Sequence, residues 1–425
     1  MKKLIGIIII LVVLGFCGYF VYVNYIMDKG IVPEEEIGSI SEYYIYGDHL
    51  NIRGSLEIED MTYKEICLNL YNGEVDKDAE IISSNDGTKI DFYFSEYIND
   101  GFYLDSLERG KYYLYLKLTY ENSEDQEDPI IKYYILRNDT EYKETVYYTM
   151  SKFNNKIIIN SDNEYSTMQF DVKENKDKNI YDITIDPGHG GMDSGGSISG
   201  YEESNFTMAI SKKVKSNLEE KGFKIKLTHD EGDLTRNDLL DEYNSGGRAV
   251  IPNEVKSKYT FSIHVNKNSA KSVHGVEVYT ADNINYDFAK SMANSLVENT
   301  DLDYSTNRLY KMFNGVYTRN FSDYDVTSSL ESYEDKGYNP YNVSTKSNYY
   351  YMIRETGGYM TGAYIDDSNL EKVGVNPYYN SNIANETYLL ELGYLSNSSD
   401  LNIINNNIDQ IAKSISDTII AKFSV

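Results

Sequence analysis

The sequence predicts two folded regions: an antiparallel β-sandwich of the immunoglobulin-like kind, then an α/β domain with a mostly parallel sheet flanked by helices. Short β-branched and aromatic segments separated by turn residues fill residues 41–173, and such a pattern is typical of a sandwich. From residue 182 onward, apolar strands alternate with amphipathic helices, which indicates a parallel sheet covered by helices. An uncharged apolar segment precedes both regions.

The N-terminal apolar segment has the length of a membrane span. Residues 4–23 carry no charge, Lys2 and Lys3 precede them, and three glutamates follow at 34–36. About 20 apolar residues suffice to cross a bilayer as a helix. We therefore predict a transmembrane signal anchor at 1–26 and a polar linker at 27–40, with the bulk of the chain outside the cell. A cleaved signal peptide is the alternative and predicts the same compartment.

Composition excludes several classes of function. The formal net charge is −27, which argues against nucleic acid as a partner. The chain has two cysteines, Cys17 and Cys67, so a disulfide framework and a cysteine-based metal site are both excluded.

The predicted sandwich shows no grouping of residues that would carry chemistry. Segments such as "KEICLNLY", "KYYLYLKLTY" and "NKIIIN" alternate or are β-branched, and "NDG" at 85–87 separates two of them. His49 lies near the start of this region without other metal-binding residues around it in sequence. A charged boundary at 171–182 follows. We therefore expect the part from 182 to 425 to act on soluble fragments of its substrate without the sandwich.

The second region begins with the strand "ITI" at 183–185. Apolar residues at a spacing of four then predict an amphipathic helix that ends near Gly222. They are Phe206, Ile210, Val214 and Leu218. Three strands follow at 223–228, 259–266 and 275–280, and then a helix at 288–297. A strand over 387–397 and a terminal helix over 407–423 complete the pattern.

Chemistry-bearing residues follow the ends of these strands. His189 lies just past the first strand, His264 near the end of "YTFSIHVN", and Glu391 in "YLLELGY", while Glu203 opens the first helix. Ligands bind beyond the carboxyl ends of such strands. Two histidines and a carboxylate are a common catalytic zinc set, and a second carboxylate would accept and return a proton. Spacing alone also allows two strand-end histidines and two exposed glutamates without a metal.

Four segments in order resemble the zinc-dependent N-acetylmuramoyl-L-alanine amidases of the amidase_3 family. They are "IDPGHGGMDSGG", "EESNFTMAI", "FSIHVN" and "LLELGYLSN", and the resemblance covers residues 182–423. It implies Zn²⁺ as the cofactor, with His189, Glu203 and His264 as metal ligands and Glu391 as the catalytic residue. Glu202 is the rival of Glu203, and the following "MAI" at 208–210 favours Glu203 in the family's alignment. Asp186 or Asp193 is expected to support a ligand histidine.

The sequence also departs from the family. The segment "LTH" ends in His229 where the family has arginine, and we expect neither His229 nor His274 to bind zinc. Arg248 and Asn253 resemble a family arginine and asparagine, for which we expect a structural role. An insertion at about 300–386 is either a wall beside the cleft or a surface loop, and we favour the wall.

Together these features predict a membrane-anchored, extracellular peptidoglycan hydrolase. The expected bond is the amide between N-acetylmuramic acid and L-alanine of the stem peptide. The alternatives are a zinc peptidase acting within the stem peptide and a non-catalytic peptidoglycan-binding or scaffold protein. The predicted partners are peptidoglycan and, through the N-terminal helix, the membrane, whereas the need for an activating protein stays open.

Overall fold

The computed structural model describes residues 37–423 except for 75, 95–101, 122–128, 141–143, 162–165, 231–245, 283, 320–326, 328–351 and 359–381. The predicted transmembrane anchor and residues 27–36 of the predicted linker lie outside the described residues. Within the part of the chain that the structure describes, no helix has both the length and the apolarity needed to span a membrane.

Twelve strands form the first region. They are β1 Gly38–Tyr46, β2 His49–Glu57, β3 Glu65–Tyr71, β4 Asp76–Glu80, β5 Ile82–Asn85, β6 Lys89–Phe94, β7 Phe102–Tyr103, β8 Gly110–Tyr120, β9 Ile130–Asn138, β10 Glu144–Tyr148, β11 Asn155–Ser161 and β12 Met168–Glu174. A short 3₁₀ helix, Leu104–Ser106, follows β7. The three segments quoted from the sequence of this region form β3, β8 and most of β11. Inward-facing apolar residues of these strands form one continuous core.

The strand-rich character agrees with the prediction, whereas the immunoglobulin-like sandwich stays a prediction, and two details differ from it. β1 begins at Gly38, inside the range predicted as linker. β1 also pairs with β9 in parallel, whereas the other pairs between these twelve strands are antiparallel. Parallel neighbours need a long connection and not a hairpin, and β2 to β8 supply that connection. The pattern of apolar residues does not reveal such a long-range pairing.

The second region contains nine strands and six helices among the described residues. The strands are β13 Ile183–Pro187, β14 Ser197–Ile198, β15 Tyr201–Glu202, β16 Ile225–Leu227, β17 Tyr259–Asn266, β18 Glu277–Tyr279, β19 Lys311–Phe313, β20 Val316–Tyr317 and β21 Glu386–Tyr394. The helices are α1 Glu203–Glu219, α2 Ile251–Glu254, α3 Asp287–Asn299, α4 Met352–Thr356, α5 Ser398–Asn406 and α6 Ile408–Phe423.

Seven of these strands form a mixed sheet in the order β16-β13-β17-β21-β18-β20-β19. The first four are parallel, while β18 is antiparallel to β21 and β19 is antiparallel to β20. The parallel centre agrees with the prediction. Because β13, β17 and β21 run in the same direction, their carboxyl ends lie at one edge of the sheet.

Helix α1 covers this sheet with the apolar stripe that the sequence predicts. Phe206, Ile210, Val214 and Leu218 are buried in the core of the second region. Burying an apolar side chain of this size contributes about 1.5–3 kcal/mol. The stripe fixes the rotation of α1, so its first residue, Glu203, lies at the carboxyl edge of the strands.

The two regions share a buried polar interface. The Tyr259 hydroxyl donates to Asp48 Oδ1 at 3.1 Å, and Lys258 Nζ lies 3.6 Å from Asp105 Oδ1, with both of these side chains at most 5% exposed. Asp182, at the predicted boundary, accepts a hydrogen bond from the backbone of Ser151 at 2.6 Å. Asp182 also accepts a hydrogen bond from the backbone of Lys224 at 2.7 Å, so this boundary residue contacts both regions.

Candidate metal centre

The first histidine of the centre lies in a turn that is unusual for its residue type. β13 ends at Pro187, and His189 then adopts a φ of +62°, followed by Gly190 at +121°. The left-handed backbone conformation destabilises a residue other than glycine by on the order of 1–3 kcal/mol, and such strain persists only where the surroundings enforce it. The conformation turns the chain sharply at the carboxyl edge of the sheet.

Two glycines allow the turn to lie against the other residues of the centre. A Cβ atom on Gly188 would lie 2.5 Å from the His264 ring, and one on Gly195 would lie 2.5 Å from His189 and 2.7 Å from Glu203. Real Cβ atoms do not approach heavy atoms so closely. These two positions therefore require glycine for steric reasons, which explains why His189 lies in a glycine-rich segment.

Three side chains from three elements converge at this edge. His189 Nε2 lies 3.2 Å from Glu203 Oε2, and His264 Nδ1 lies 3.1 Å from Glu203 Oε1. One nitrogen or oxygen of each residue lies within 4.8 Å of the others, and the imidazole rings are 4.9 Å apart between centroids. Two nitrogens and a carboxylate oxygen are the donors that zinc prefers, with a position left open. The donor set fits a zinc ion.

Neighbouring groups orient two of these three donors. His189 Nδ1 contacts the carboxylate of Asp193, which leaves Nε2 for a metal. Glu203 accepts backbone hydrogen bonds from Gly196 at 2.8 Å and Val265 at 2.9 Å. Glu202, its rival in the sequence, is exposed and lies outside the cluster. The geometry favours Glu203.

The electrostatics of the cluster favour the charged forms of His189 and Glu203 when no metal is bound. Burial lowers the pKa of His189, but its contacts with Glu203 and Asp193 outweigh burial and raise that pKa to about 9. Burial likewise raises the pKa of Glu203, but the two histidines outweigh it and hold that pKa well below its ordinary value. A metal cation would take the place of the proton on His189.

Glu391 stands beside this cluster on β21. It is the register partner of His264 on β17 and of Glu277 on β18. Its Oε2 atom is buried and accepts no hydrogen bond from the described residues. Burial, and then the negative charges of Glu203 and Glu277, raise the pKa of Glu391 well above its ordinary value. A carboxylate in these surroundings is suited to carry a proton.

Sequence reasoning missed Glu277. This residue is fully buried and accepts hydrogen bonds from Ser305 and Tyr279, each at 2.7 Å, and from Tyr394. The signal was present in "GVEVYT", where a glutamate interrupts an otherwise apolar strand. Its place beside Glu391 depends on a strand pairing that the sequence does not reveal.

The other residues singled out by sequence lie around the cluster. His229 is buried and contacts Arg248 and the carbonyl of Pro187. His274 follows β17 in the chain and contacts the carbonyl of Ser272. Neither histidine belongs to the metal-binding group. Asn253 is buried in α2. Most of the predicted insertion, including all residues between 359 and 381, lies outside the described residues, and its role stays a prediction.

Comparison with known proteins gives one family. Residues 183–421 match the family model described as N-acetylmuramoyl-L-alanine amidase. The probable N-acetylmuramoyl-L-alanine amidase AmiB of Haemophilus influenzae is 37% identical over 105 residues, which are 24% of this chain and 22% of that protein. The chain therefore matches about a fifth of the length of this curated relative.

Two solved structures are similar to the second region. The amidase AmiC2 of Nostoc punctiforme is 22% identical, with coverage of 58% of this chain and 98% of that one and a TM-score of 0.37. The catalytic domain of the amidase CwlV from Bacillus (Paenibacillus) polymyxa var. colistinus is 20% identical, with coverage of 58% and 99% and a TM-score of 0.36. The range matched by the family model is more than half of the 425 residues and contains the cluster and Glu391.

Proposed function

The chain belongs to the N-acetylmuramoyl-L-alanine amidase family, and on that premise we propose that it hydrolyses peptidoglycan with a bound zinc ion. The bond is the amide between the lactyl group of N-acetylmuramic acid and L-alanine of the stem peptide. The observation that carries the proposal is the convergence of His189, Glu203 and His264 beside a half-buried glutamate, Glu391. A ligand set of two histidines and a carboxylate, with an open position and an adjacent proton carrier, suits metal-assisted amide hydrolysis.

The residues of this chain have distinct tasks in the proposal. When bound, zinc supplies a Lewis acid and lowers the pKa of a water in the open position. Glu391 accepts a proton as the water attacks the amide carbon, and then donates a proton to the nitrogen of the leaving alanine. Asp193 keeps the His189 ring in the tautomer that leaves Nε2 unprotonated. Burial of Glu391 and its two acidic neighbours favours the protonated form that the second step requires.

The location of the enzyme is part of the proposal. The uncharged segment at 4–23, preceded by two lysines, supports a membrane anchor with the catalytic part on the cell-wall side. Peptidoglycan lies in that compartment. The net charge of −27 opposes nonspecific adsorption to anionic polymers, which leaves recognition to the site itself.

Digestion of purified peptidoglycan, with mass spectrometry of the soluble and insoluble products, tests the activity. Free stem peptides that begin with L-alanine, together with glycan chains that lack peptides, are expected. Cuts inside the stem peptide would identify a zinc peptidase instead. Bound zinc without any released fragment would identify a binding or scaffold protein. A Glu391→Gln variant is the matched control for contaminating hydrolases.

A further inference from the structure

The strained turn at His189 is held by one buried arginine. Arg248 is 5% exposed, and its Nη2 atom donates to the carbonyl oxygen of His189 at 2.7 Å and to that of Pro187 at 2.5 Å. These carbonyls lie on either side of Gly188. A single guanidinium nitrogen therefore fixes both ends of the backbone segment that enters the left-handed conformation.

Arg248 is itself fixed by an ion pair. Its Nε donates to Asp186 Oδ1 at 3.0 Å, and Asp186 is 1% exposed. Thr228 and Ser262 each donate to the same carboxylate at 2.7 Å. A displaced guanidinium would leave a buried carboxylate without its counter-charge, which is strongly unfavourable. The ion pair therefore favours the observed position of the arginine.

The neighbouring histidine completes the surroundings of the guanidinium. His229 Nε2 lies 2.9 Å from Arg248 Nη2. The same Nε2 atom lies 2.9 Å from the carbonyl oxygen of Pro187, so His229 donates to Pro187 in one tautomer and accepts from Arg248 in the other. The guanidinium donates to the Asp186 carboxylate and to two backbone carbonyls, and its planar fork matches these acceptors in a way that a lysine ammonium does not.

We propose that Arg248 is a positioning residue for the metal centre: from its buried pair with Asp186, it holds the left-handed turn that directs His189 toward Glu203 and His264. The inference rests on the proposed zinc site but not on the reaction that this site performs. A ligand held in the required backbone conformation before the metal arrives binds it with less loss of conformational freedom.

Zinc affinity of the full-length Arg248→Lys variant, measured by competition with a chromogenic chelator, tests this proposal. Lysine keeps the charge beside Asp186 but loses the fork. We expect affinity to fall about 10- to 100-fold, the effect typical of removing a group that orients a metal ligand. Visible spectra of the cobalt-substituted protein should also change. The matched control is Thr228→Val, which removes a hydrogen bond to Asp186 without touching Arg248. It should lower the melting temperature but leave zinc affinity within about twofold.

Unchanged zinc affinity in Arg248→Lys, with or without a lower melting temperature, would overturn the proposal, since the arginine would then serve stability alone. If Arg248→Lys does not fold, Asp186→Asn carries the test, with a smaller loss of zinc affinity expected and unchanged affinity overturning the proposal. A wild-type chain that binds zinc but leaves peptidoglycan intact would refute the proposed activity while this inference stands. A wild-type chain that binds no zinc would refute both.

Discussion

Glu277 and Glu391 oppose each other across antiparallel neighbours β18 and β21, and their carboxylates have different surroundings. Glu277 accepts hydrogen bonds from hydroxyl groups on both of its oxygens. Glu391 keeps one buried oxygen without a hydrogen bond from the described residues. Hydrogen bonds to a carboxylate favour its charged form, whereas burial without them favours the protonated form. These surroundings raise the pKa of Glu391 and favour its protonated form.

Replacement of Glu391 by glutamine should abolish turnover and spare the metal. Glutamine keeps the shape of the side chain but neither accepts nor returns the proton. Loss of a general acid or base typically costs about 10²–10⁴-fold in rate, and we expect kcat to fall by that amount with zinc content and melting temperature retained. Hydrolysis of muropeptides within about threefold of wild type would exclude Glu391 as the proton carrier.

Replacement of Glu277 by glutamine should shift the pH profile of kcat. The negative charge of Glu277 is one of the causes that raise the pKa of Glu391. Its removal lowers that pKa, so Glu391 reaches the unprotonated form that accepts the proton at lower pH, and the acidic limb of the activity profile moves toward lower pH. Bound zinc changes the absolute pKa but not the direction of this difference. Ser305→Ala, which keeps the charge of Glu277, should produce a smaller shift, and an unmoved profile in Glu277→Gln contradicts the prediction.

The metal centre should release a proton when zinc binds near neutral pH. Without metal, His189 has a pKa raised to about 9, so it is protonated at pH 7 and must lose that proton to become a ligand. Its ion pairing contributes to the stability of the metal-free protein fully below pH 6.5, and this contribution is lost as pH rises through about 9. Calorimetry of zinc binding in buffers of different ionisation enthalpy measures the release.

Zinc affinity should accordingly increase as pH rises toward 9, because the proton competes less. His274→Ala is the control, since this histidine lies outside the cluster and its loss should leave proton release unchanged. Zinc binding that releases no proton around neutral pH would show that His189 is already unprotonated in the metal-free chain.

Glu203 and Glu202 offer a matched pair of variants. Glu203→Gln should lose zinc affinity by more than the roughly 100-fold effect of an orienting group, because it removes a charged ligand. Glu202→Gln changes an exposed side chain outside the cluster and should bind zinc like the wild type. Elemental analysis after dialysis measures both. The reverse result would assign the ligand to Glu202.

The sequence predicted four site residues, His189, Glu203, His264 and Glu391, because each lies in a short local motif at the end of a strand or the start of a helix. His189, Glu203, His264 and Glu391 need only the common direction of the parallel strands to converge. Glu277 was missed because its role depends on the antiparallel pairing of β18 with β21. Local patterns carry little information about which distant strands become neighbours.

The interface between the two regions was missed for the same reason. Tyr259 and Asp48, which form a hydrogen bond across it, are 211 residues apart. Nothing in the composition of either segment marks them as partners. The charged boundary at 171–182 instead predicted separable regions, because runs of charged residues are typical of linkers.

The interface changes what we expect of the isolated 182–425 fragment. Tyr44, Tyr46 and Met150 of the first region pack into the core of the second region. Removal of the first region would therefore expose the apolar face that they cover. It would also leave Lys258, 2% exposed in the full chain, without Asp105. We therefore expect the fragment to melt at a lower temperature than the full chain, and the full chain to unfold in one transition.

The buried pair of Lys258 and Asp105 provides the sharper test of this coupling. Asp105→Asn removes one partner and leaves a buried ammonium unpaired, which typically destabilises by about 3–5 kcal/mol. Lys258→Met removes the other partner, and the double variant replaces both charges with neutral groups. If the pair couples the regions, the double variant should recover much of the loss seen in the single variants, as measured by denaturant unfolding. Purely additive effects would show that this pair does not couple the regions, and two separate unfolding transitions in the wild type would show that the regions fold independently.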